Sequence, residues 1–170
     1  YPKNETYPDG GKSTSYLETI QAGNKIDIWT PNTYDFYIED NCLIKNTIPK
    51  QIFHLYYINI ICAGSGITPF IRLLAEFSSQ THVYIKFLYF TNNDNDHFTQ
   101  LLDNTDFWGN NINLNIMNNI HINTKIINTF LFGKELNPVT FICGPQGLLK
   151  SAYDLFINHL NYNKNYVVRI

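Results

Sequence analysis

Leu55-Tyr56-Tyr57-Ile58-Asn59-Ile60-Ile61-Cys62-Ala63-Gly64-Ser65-Gly66-Ile67-Thr68-Pro69 is the stretch that sets the architecture. Its first eight residues form a nearly continuous apolar run, as expected of a strand buried on both faces. Glycines follow, then Thr68 and Pro69, which predict an N-cap and a first-turn proline for a helix. Phe70, Leu73, Leu74 and Phe77 then fall on one helical stripe. A buried strand, a glycine turn and a helix in that order mark the carboxyl end of a parallel strand. Freed backbone amides there can approach a phosphate, and the helix dipole favours its charge.

Downstream the same grammar repeats. Residues 83–90 predict a second strand, 97–104 a short helix and 112–117 a third strand. Residues 124–132 predict a helix, 139–143 a fourth strand, 147–160 a helix and 166–170 a fifth strand. Strict alternation with short connections implies α/β architecture: a five-stranded parallel, Rossmann-like sheet with helices on both faces. The fourth strand ends on Cys143-Gly144-Pro145-Gln146-Gly147, a second glycine turn before a helix.

Upstream, residues 1–50 read as β structure. Asp9-Gly10-Gly11 and Ala22-Gly23-Asn24 are turn signals, and residues 25–30 and 35–39 alternate in polarity. Residues 13–21 suit a short helix, and 44–51 have too little periodicity to be more than a linker. Gly11-Lys12-Ser13-Thr14 looks like the tail of a phosphate-binding loop, but Thr6 stands where that motif needs glycine and no buried strand precedes it. The segment is either a plain turn or an anion nest of amides and hydroxyls, with charge from Lys12.

Composition excludes several classes. The chain has 170 residues, 44% hydrophobic and 15% aromatic, with a net charge of −2 and no Lys/Arg run suited to a polyanion. Three cysteines without a CxxC pair argue against a disulfide scaffold and for a reducing compartment. Five histidines show no metal-ligand spacing, so no metal is expected. The abundance of Asn, Ile and Tyr follows A/T-rich codons, and the Asn excess is read as that bias. The chain opens on Tyr1 with no apolar leader or spanning stretch. A fragment of a longer product is expected, and membrane attachment would require residues upstream.

Gly64-Ser65-Gly66 carries two of the three fingerprint glycines of a dinucleotide turn, and Pro69 replaces the third. A strand-to-helix turn needs glycine in any case. What distinguishes the site is Thr68, whose hydroxyl is expected in the crevice. Cys62 reads as a buried structural thiol. Cys143 ends a strand beside a Gly-Pro turn, which places its sulfur at the crevice in a role that need not be nucleophilic. Asp94 and Asp96 follow the second strand, within reach of a bound ribose, in a stretch from Asn92 to Asp96 that reads equally as a plain polar loop.

Taken in order, these segments resemble the cytochrome b5 reductase branch of the ferredoxin–NADP reductase superfamily. The run from Tyr7 to Leu17 is similar to the family's flavin phosphate segment. Gly23-Asn24-Lys25-Ile26-Asp27-Ile28 and Thr30-Pro31 resemble its closing barrel strands. The Ala63 and Cys143 turns resemble its two nicotinamide-domain fingerprints. The resemblance implies that residues 1–50 are the C-terminal part of an FAD-binding β-barrel domain, a partial antiparallel segment, and that 51–170 are the NADH-binding domain.

It also implies a flavoenzyme with FAD and NADH as cofactors. Hydride would pass from NADH to FAD, and single electrons to a haem protein such as cytochrome b5. Gly10, Gly11, Lys12, Ser13 and Thr14 would hold FAD phosphates. Gly64 and Gly66 would admit the NADH pyrophosphate, with Pro69, Gly144 and Pro145 lining the same turns. Thr68 would contact the flavin or the nicotinamide, and Cys143 would line the hydride-transfer site. Asn92 would belong to the cofactor-binding set, and Asp96 would bind the adenosine ribose if one residue is missing from the preceding loop. The family's Arg-x-Tyr-Ser/Thr flavin motif has no counterpart, so these residues alone are expected to hold FAD weakly. The alternative is a nucleotide-binding or interaction module without flavin chemistry of its own. The expected location is the cytoplasm or the cytoplasmic face of an intracellular membrane, and no nucleic-acid partner is expected.

Overall fold

In the computed structural model, which describes residues 16, 19–25, 35–92, 97–102 and 108–170, the chain divides into two units, Tyr1–Tyr34 and Asp35–Ile170. Within the first, the predicted turn at Gly23 is present. The Asn24 N–H donates to the Gln21 carbonyl at 3.0 Å, and the Asn24 Oδ1 accepts the Gln21 N–H at 2.9 Å. The expectations for residues 1–15 and 26–30 lie outside the described residues.

The second unit opens with three short antiparallel strands in the order β1 (Phe36–Glu39), β2 (Cys42–Lys45) and β3 (Gln51–His54). The stretch expected to be a linker therefore contributes to both β2 and β3. Unlike β1, expected from the alternation over 35–39, these two strands carry adjacent apolar pairs, Leu43-Ile44 and Ile52-Phe53, and so display no alternation. Their pairing, Leu43 opposite Phe53, is stabilised because both side chains are buried in the core beneath them. The Phe53 ring meets that of Tyr166 edge-on at 4.6 Å, and the Lys45 ammonium donates to the Asn165 carbonyl.

The remaining strands are parallel: β4 (Tyr57–Ala63), β5 (Tyr84–Thr91), β6 (Ile112–Asn118), β7 (Val139–Cys143) and β8 (Val167–Arg169). Their spatial order is β6-β5-β4-β7-β8, so the predicted five-stranded parallel sheet is present. Helices α1 (Thr68–Phe77) and α2 (His97–Leu102) follow β4 and β5; α3 (Thr124–Phe130) and α4 (Gln146–Asp154) follow β6 and β7. After Asp154 the coil widens to a π-helical turn over Leu155–His159, closed by the Leu160 N–H on the Leu155 carbonyl.

Alternation along the strands builds two cores. Ile58, Ile60 and Cys62 face Phe70, Leu74 and Phe77 of α1. Ile61, Leu88 and Ile142 face Ile126 and Ile127 of α3 and Ala152 of α4. Burying each large side chain contributes about 1.5–3 kcal/mol, so the stripe read on α1 is what seats it. Thr68 is not the N-cap. A 3-10 turn over Gly64–Ile67 runs into α1, so Thr68 already has helical backbone angles and Ile67 occupies the cap position without a side-chain hydrogen bond. The side-chain cap the sequence reading missed is Asn123, whose Oδ1 accepts the Ile126 N–H at 3.0 Å to start α3. Among the described residues no helix is long and apolar enough to cross a membrane.

Candidate functional site

Strand order reverses between β4 and β7. Connections from β4 proceed toward β5, those from β7 toward β8, and the two following helices pack on opposite faces. In doubly wound sheets the crevice that binds ligands lies at the carboxyl ends of the strands flanking such a reversal. Both glycine turns singled out from sequence meet there.

The turns touch through their backbones. A Cβ built on Gly66 would lie 2.6 Å from the Cys143 carbonyl oxygen and 2.8 Å from the Gly144 Cα. No side chain fits between them, so glycine is what allows this approach. Gly144 has φ +147°, and a Cβ there would lie 3.1 Å from the Ala63 nitrogen. Gly64, at φ +54°, faces open space. The first turn is tied by the Thr68 hydroxyl, which donates to the Ser65 carbonyl at 2.9 Å. That bond fixes the Thr68 side chain at the rim, with Thr68 and Pro69 exposed beside Gly64.

Cys62 and Cys143 are register partners across β4 and β7 and belong to the same core face. Cys62 is fully buried, and burial, with a smaller contribution from Cys143, pushes its thiol far above the ordinary range. Cys143 is half-buried; burial raises its pKa too, and a hydrogen bond with the Gly144 backbone opposes the rise. Both sulfurs are therefore neutral thiols near pH 7. Cys143 can present a compact polarizable surface or a weak S–H donor to a ligand, and it is not an activated nucleophile.

Cys143, Gly144, Pro145, Gly64, Gly66, Thr68 and Pro69 thus gather at one crevice. Asn92 is exposed just beyond β5, on the same edge of the sheet. Asn119, after β6, adopts φ +53° and its N–H donates to the Thr91 carbonyl at 2.9 Å, which ties the two neighbouring strand ends together. Gly10, Gly11, Lys12, Ser13, Thr14 and Asp96 lie outside the described residues.

Several asparagines that composition attributed to codon bias do structural work. The Asn111 amide donates to the carbonyls of Phe77, Gln80 and Val83 at 2.9, 3.0 and 2.7 Å, gathering the end of α1 and the approach to β5. Asn59 is fully buried in β4, and its Oδ1 accepts the Phe132 N–H at 2.9 Å while its Nδ2 donates to the Phe132 carbonyl at 3.1 Å. The available signal was Asn59 itself, a lone amide within an apolar run, where a buried polar group must be paired.

No protein-family model matches the chain. NADH-cytochrome b5 reductase 2 of Mus musculus is 35% identical over 80 residues, which cover 44% of this chain and 28% of the relative. The NADPH nitrate reductase of Pichia angusta is 27% identical over 186 residues, covering 99% of this chain and 21% of the relative. Among solved structures, the cytochrome b5 reductase domain of Ulva prolifera nitrate reductase has a TM-score of 0.81 at 18% identity, over 98% of this chain and 66% of that one. That likeness establishes the fold. The chain spans about a quarter of the length of the curated relatives it matches.

Proposed function

We propose that the chain is the nucleotide-binding part, with the last stretch of the flavin domain, of a flavin-dependent oxidoreductase. Its reaction takes a hydride from NADH onto FAD and passes electrons singly to a haem protein of the cytochrome b5 type. The observation that carries this reading is the backbone contact of Gly66 with Cys143 and Gly144 at the reversal of strand order. The similarity to NADH-cytochrome b5 reductase 2 supports the same chemistry.

The residues present fit a dinucleotide. Gly64 leaves open space for a pyrophosphate, and Thr68, Pro69 and Pro145 are exposed around it. In this reading Gly64 and Gly66 admit the pyrophosphate, while Asn92 and Asp96 take the adenosine ribose. Thr68, held by Ser65, and Cys143, held beside Cys62, flank the nicotinamide. Gly10, Gly11, Lys12, Ser13 and Thr14 take the FAD phosphates. Nicotinamide and flavin supply the redox chemistry, and the chain orients them and excludes water. A neutral Cys143 thiol suits that task, because a thiolate is a nucleophile and would add to the oxidised flavin or nicotinamide. The enzyme would work in the cytoplasm or at the cytoplasmic face of an intracellular membrane.

The second reading, a nucleotide-binding or docking module without flavin chemistry, draws on one observation: Arg-x-Tyr-Ser/Thr is absent from these 170 residues. The absorption spectrum of the purified full-length product separates the two. A flavin spectrum that NADH bleaches supports the reductase; a colourless full-length product that still binds NADH supports the module.

A further inference from the structure

A polar row crosses the middle strands of the sheet far from the crevice. Thr140 of β7, Asn59 of β4 and Lys86 of β5 are successive register partners, and in this parallel sheet their side chains share the α3–α4 face. Thr140 and Asn59 are fully buried. Burying such groups costs free energy unless they are paired, and Asn59 is: it holds both backbone groups of Phe132. The Tyr162 hydroxyl donates to the same Phe132 carbonyl at 2.8 Å. The segment after α3 is therefore pinned at a fixed height above the sheet.

That pinned segment forms one wall of a cavity of about 520 Å³, which reaches from Lys86 and Leu131 to Glu135, His159 and Tyr162. Lys86 is half-buried at the cavity. Its ammonium rests 4.7 Å from the centroid of the Phe132 ring and donates to the Leu131 carbonyl at 3.4 Å, a long bond. Among the described residues no carboxylate pairs with it; the ion pair present joins His159 to Asp154 at 3.2 Å. Lys134 adds a second cation to the lining, and Glu135 the opposing charge. A half-buried ammonium with no carboxylate paired to it among the described residues, facing this cavity, is matched by an oxyanion, with which it forms short charge-assisted hydrogen bonds.

We propose that this cavity is a binding site for a small oxyanion-bearing molecule, a phosphate or a carboxylate, with Lys86 as its principal charge partner. The carboxylate of Glu135 tempers affinity. The site lies toward the amino-terminal ends of the strands, so it is separate from the crevice of Gly66 and Cys143.

The test is equilibrium binding of inorganic phosphate, and separately of acetate, to the full-length protein and to three variants. Lys86→Met keeps the aliphatic stem, Lys86→Arg keeps the charge, and Glu135→Gln removes the repulsion. One charge-assisted hydrogen bond lost corresponds to roughly a tenfold or larger loss of affinity. The proposal expects that loss in Lys86→Met, retention in Lys86→Arg and tighter binding in Glu135→Gln, with thermal unfolding showing that each variant is folded. The preferred probe identifies phosphate or carboxylate as the group bound. Equal binding of both anions by wild type and a folded Lys86→Met, or no saturable binding that Glu135→Gln improves, would overturn it. If Lys86→Met fails to fold, the Lys86→Arg and Glu135→Gln pair decides by the same criteria.

Discussion

Gly66 stands against the carbonyl of Cys143 so closely that a methyl group on its Cα would lie 2.6 Å from that oxygen. The relationship joins the two turns of the crevice, one from each strand flanking the reversal. Neither partner can yield easily, because each turn is anchored to a buried strand.

Substitutions at the two glycines of the first turn should therefore diverge. Gly66→Ala is expected to destabilise by about 1–3 kcal/mol through overpacking, and Gly66→Asn by more. Gly64 needs its positive φ but has free space. There Ala should cost roughly 1–2 kcal/mol and Asn, which tolerates that conformation, distinctly less. Urea unfolding of the four variants checks this. Asn proving no better than Ala at Gly64, or Gly66→Ala proving neutral, would contradict the geometry.

Stability should fall in alkali. Cys62 and Cys143 have thiols raised by burial, and Tyr162 is pushed up to about 12 by burial and the Glu135 charge. A raised folded pKa gives stability that is whole below the unfolded value and is lost as pH climbs toward the folded one. For the thiols the decline begins near pH 8.5–9. Tyr162 adds to it between about pH 10 and 12. For a thiol such as Cys62, ionised unfolded and neutral folded, the slope is about 1.4 kcal/mol per pH unit. Unfolding free energies at pH 8 and 10 would show it, with a shallower slope in Cys62→Ala. A flat profile from 8 to 11 would contradict the burial described.

The parts of this fold visible in sequence were those with a long enough signal. β4 showed itself through seven residues of apolar sequence, and α1 through Phe70, Leu74 and Phe77 at helical spacing. β2 and β3 did not, because their apolar residues, Leu43-Ile44 and Ile52-Phe53, are adjacent rather than alternating, and their pairing depends on a core contributed by distant strands. Thr68 was found at the right place with the wrong local role: composition suggests a cap, and only the preceding 3-10 turn reveals that the helix has already begun. The crevice residues Gly64, Gly66, Cys143 and Gly144 were legible because each lies at or just past the end of a strand. That Gly66 touches the Cys143 carbonyl was not, since it depends on two strands about eighty positions apart becoming neighbours.

Asn111 offers a test of the asparagines. Its amide donates to three carbonyls, so Asn111→Ala strands acceptors in a half-buried place at a cost of about 1–3 kcal/mol. Asn111→Asp should be worse at pH 7, because a carboxylate cannot donate and would face three carbonyl oxygens. Chemical denaturation of both variants measures the order. Asp as stable as Asn would mean the amide is not the clamp it looks to be.

NADH should be preferred over NADPH. Residues Asn92, Asn93, Asp94, Asn95 and Asp96 offer no cation for a 2′-phosphate, and the next Lys or Arg in sequence is Lys125. Two unit charges about 4 Å apart repel by roughly 4 kcal/mol at an effective dielectric of 20, and a screened fraction of that suffices for a tenfold preference. Because one relative is an NADPH nitrate reductase, the comparison of kcat/KM for the two nucleotides is decisive. A full-length enzyme as good with NADPH would refute the preference. Asp96→Ala should narrow the ratio if that carboxylate is the reader.

The most direct measurement is the rate of flavin reduction in the full-length protein, mixed anaerobically with NADH and with NADH deuterated at the transferred position. Hydride transfer at this crevice predicts bleaching of the flavin band with a primary isotope effect. It also predicts that Cys143→Ala slows the step with little loss of stability, whereas Cys62→Ala lowers stability by about 0.5–3 kcal/mol and leaves the step nearly intact. Flavin that dithionite bleaches but NADH does not, or equal rates in wild type and Cys143→Ala, would contradict it.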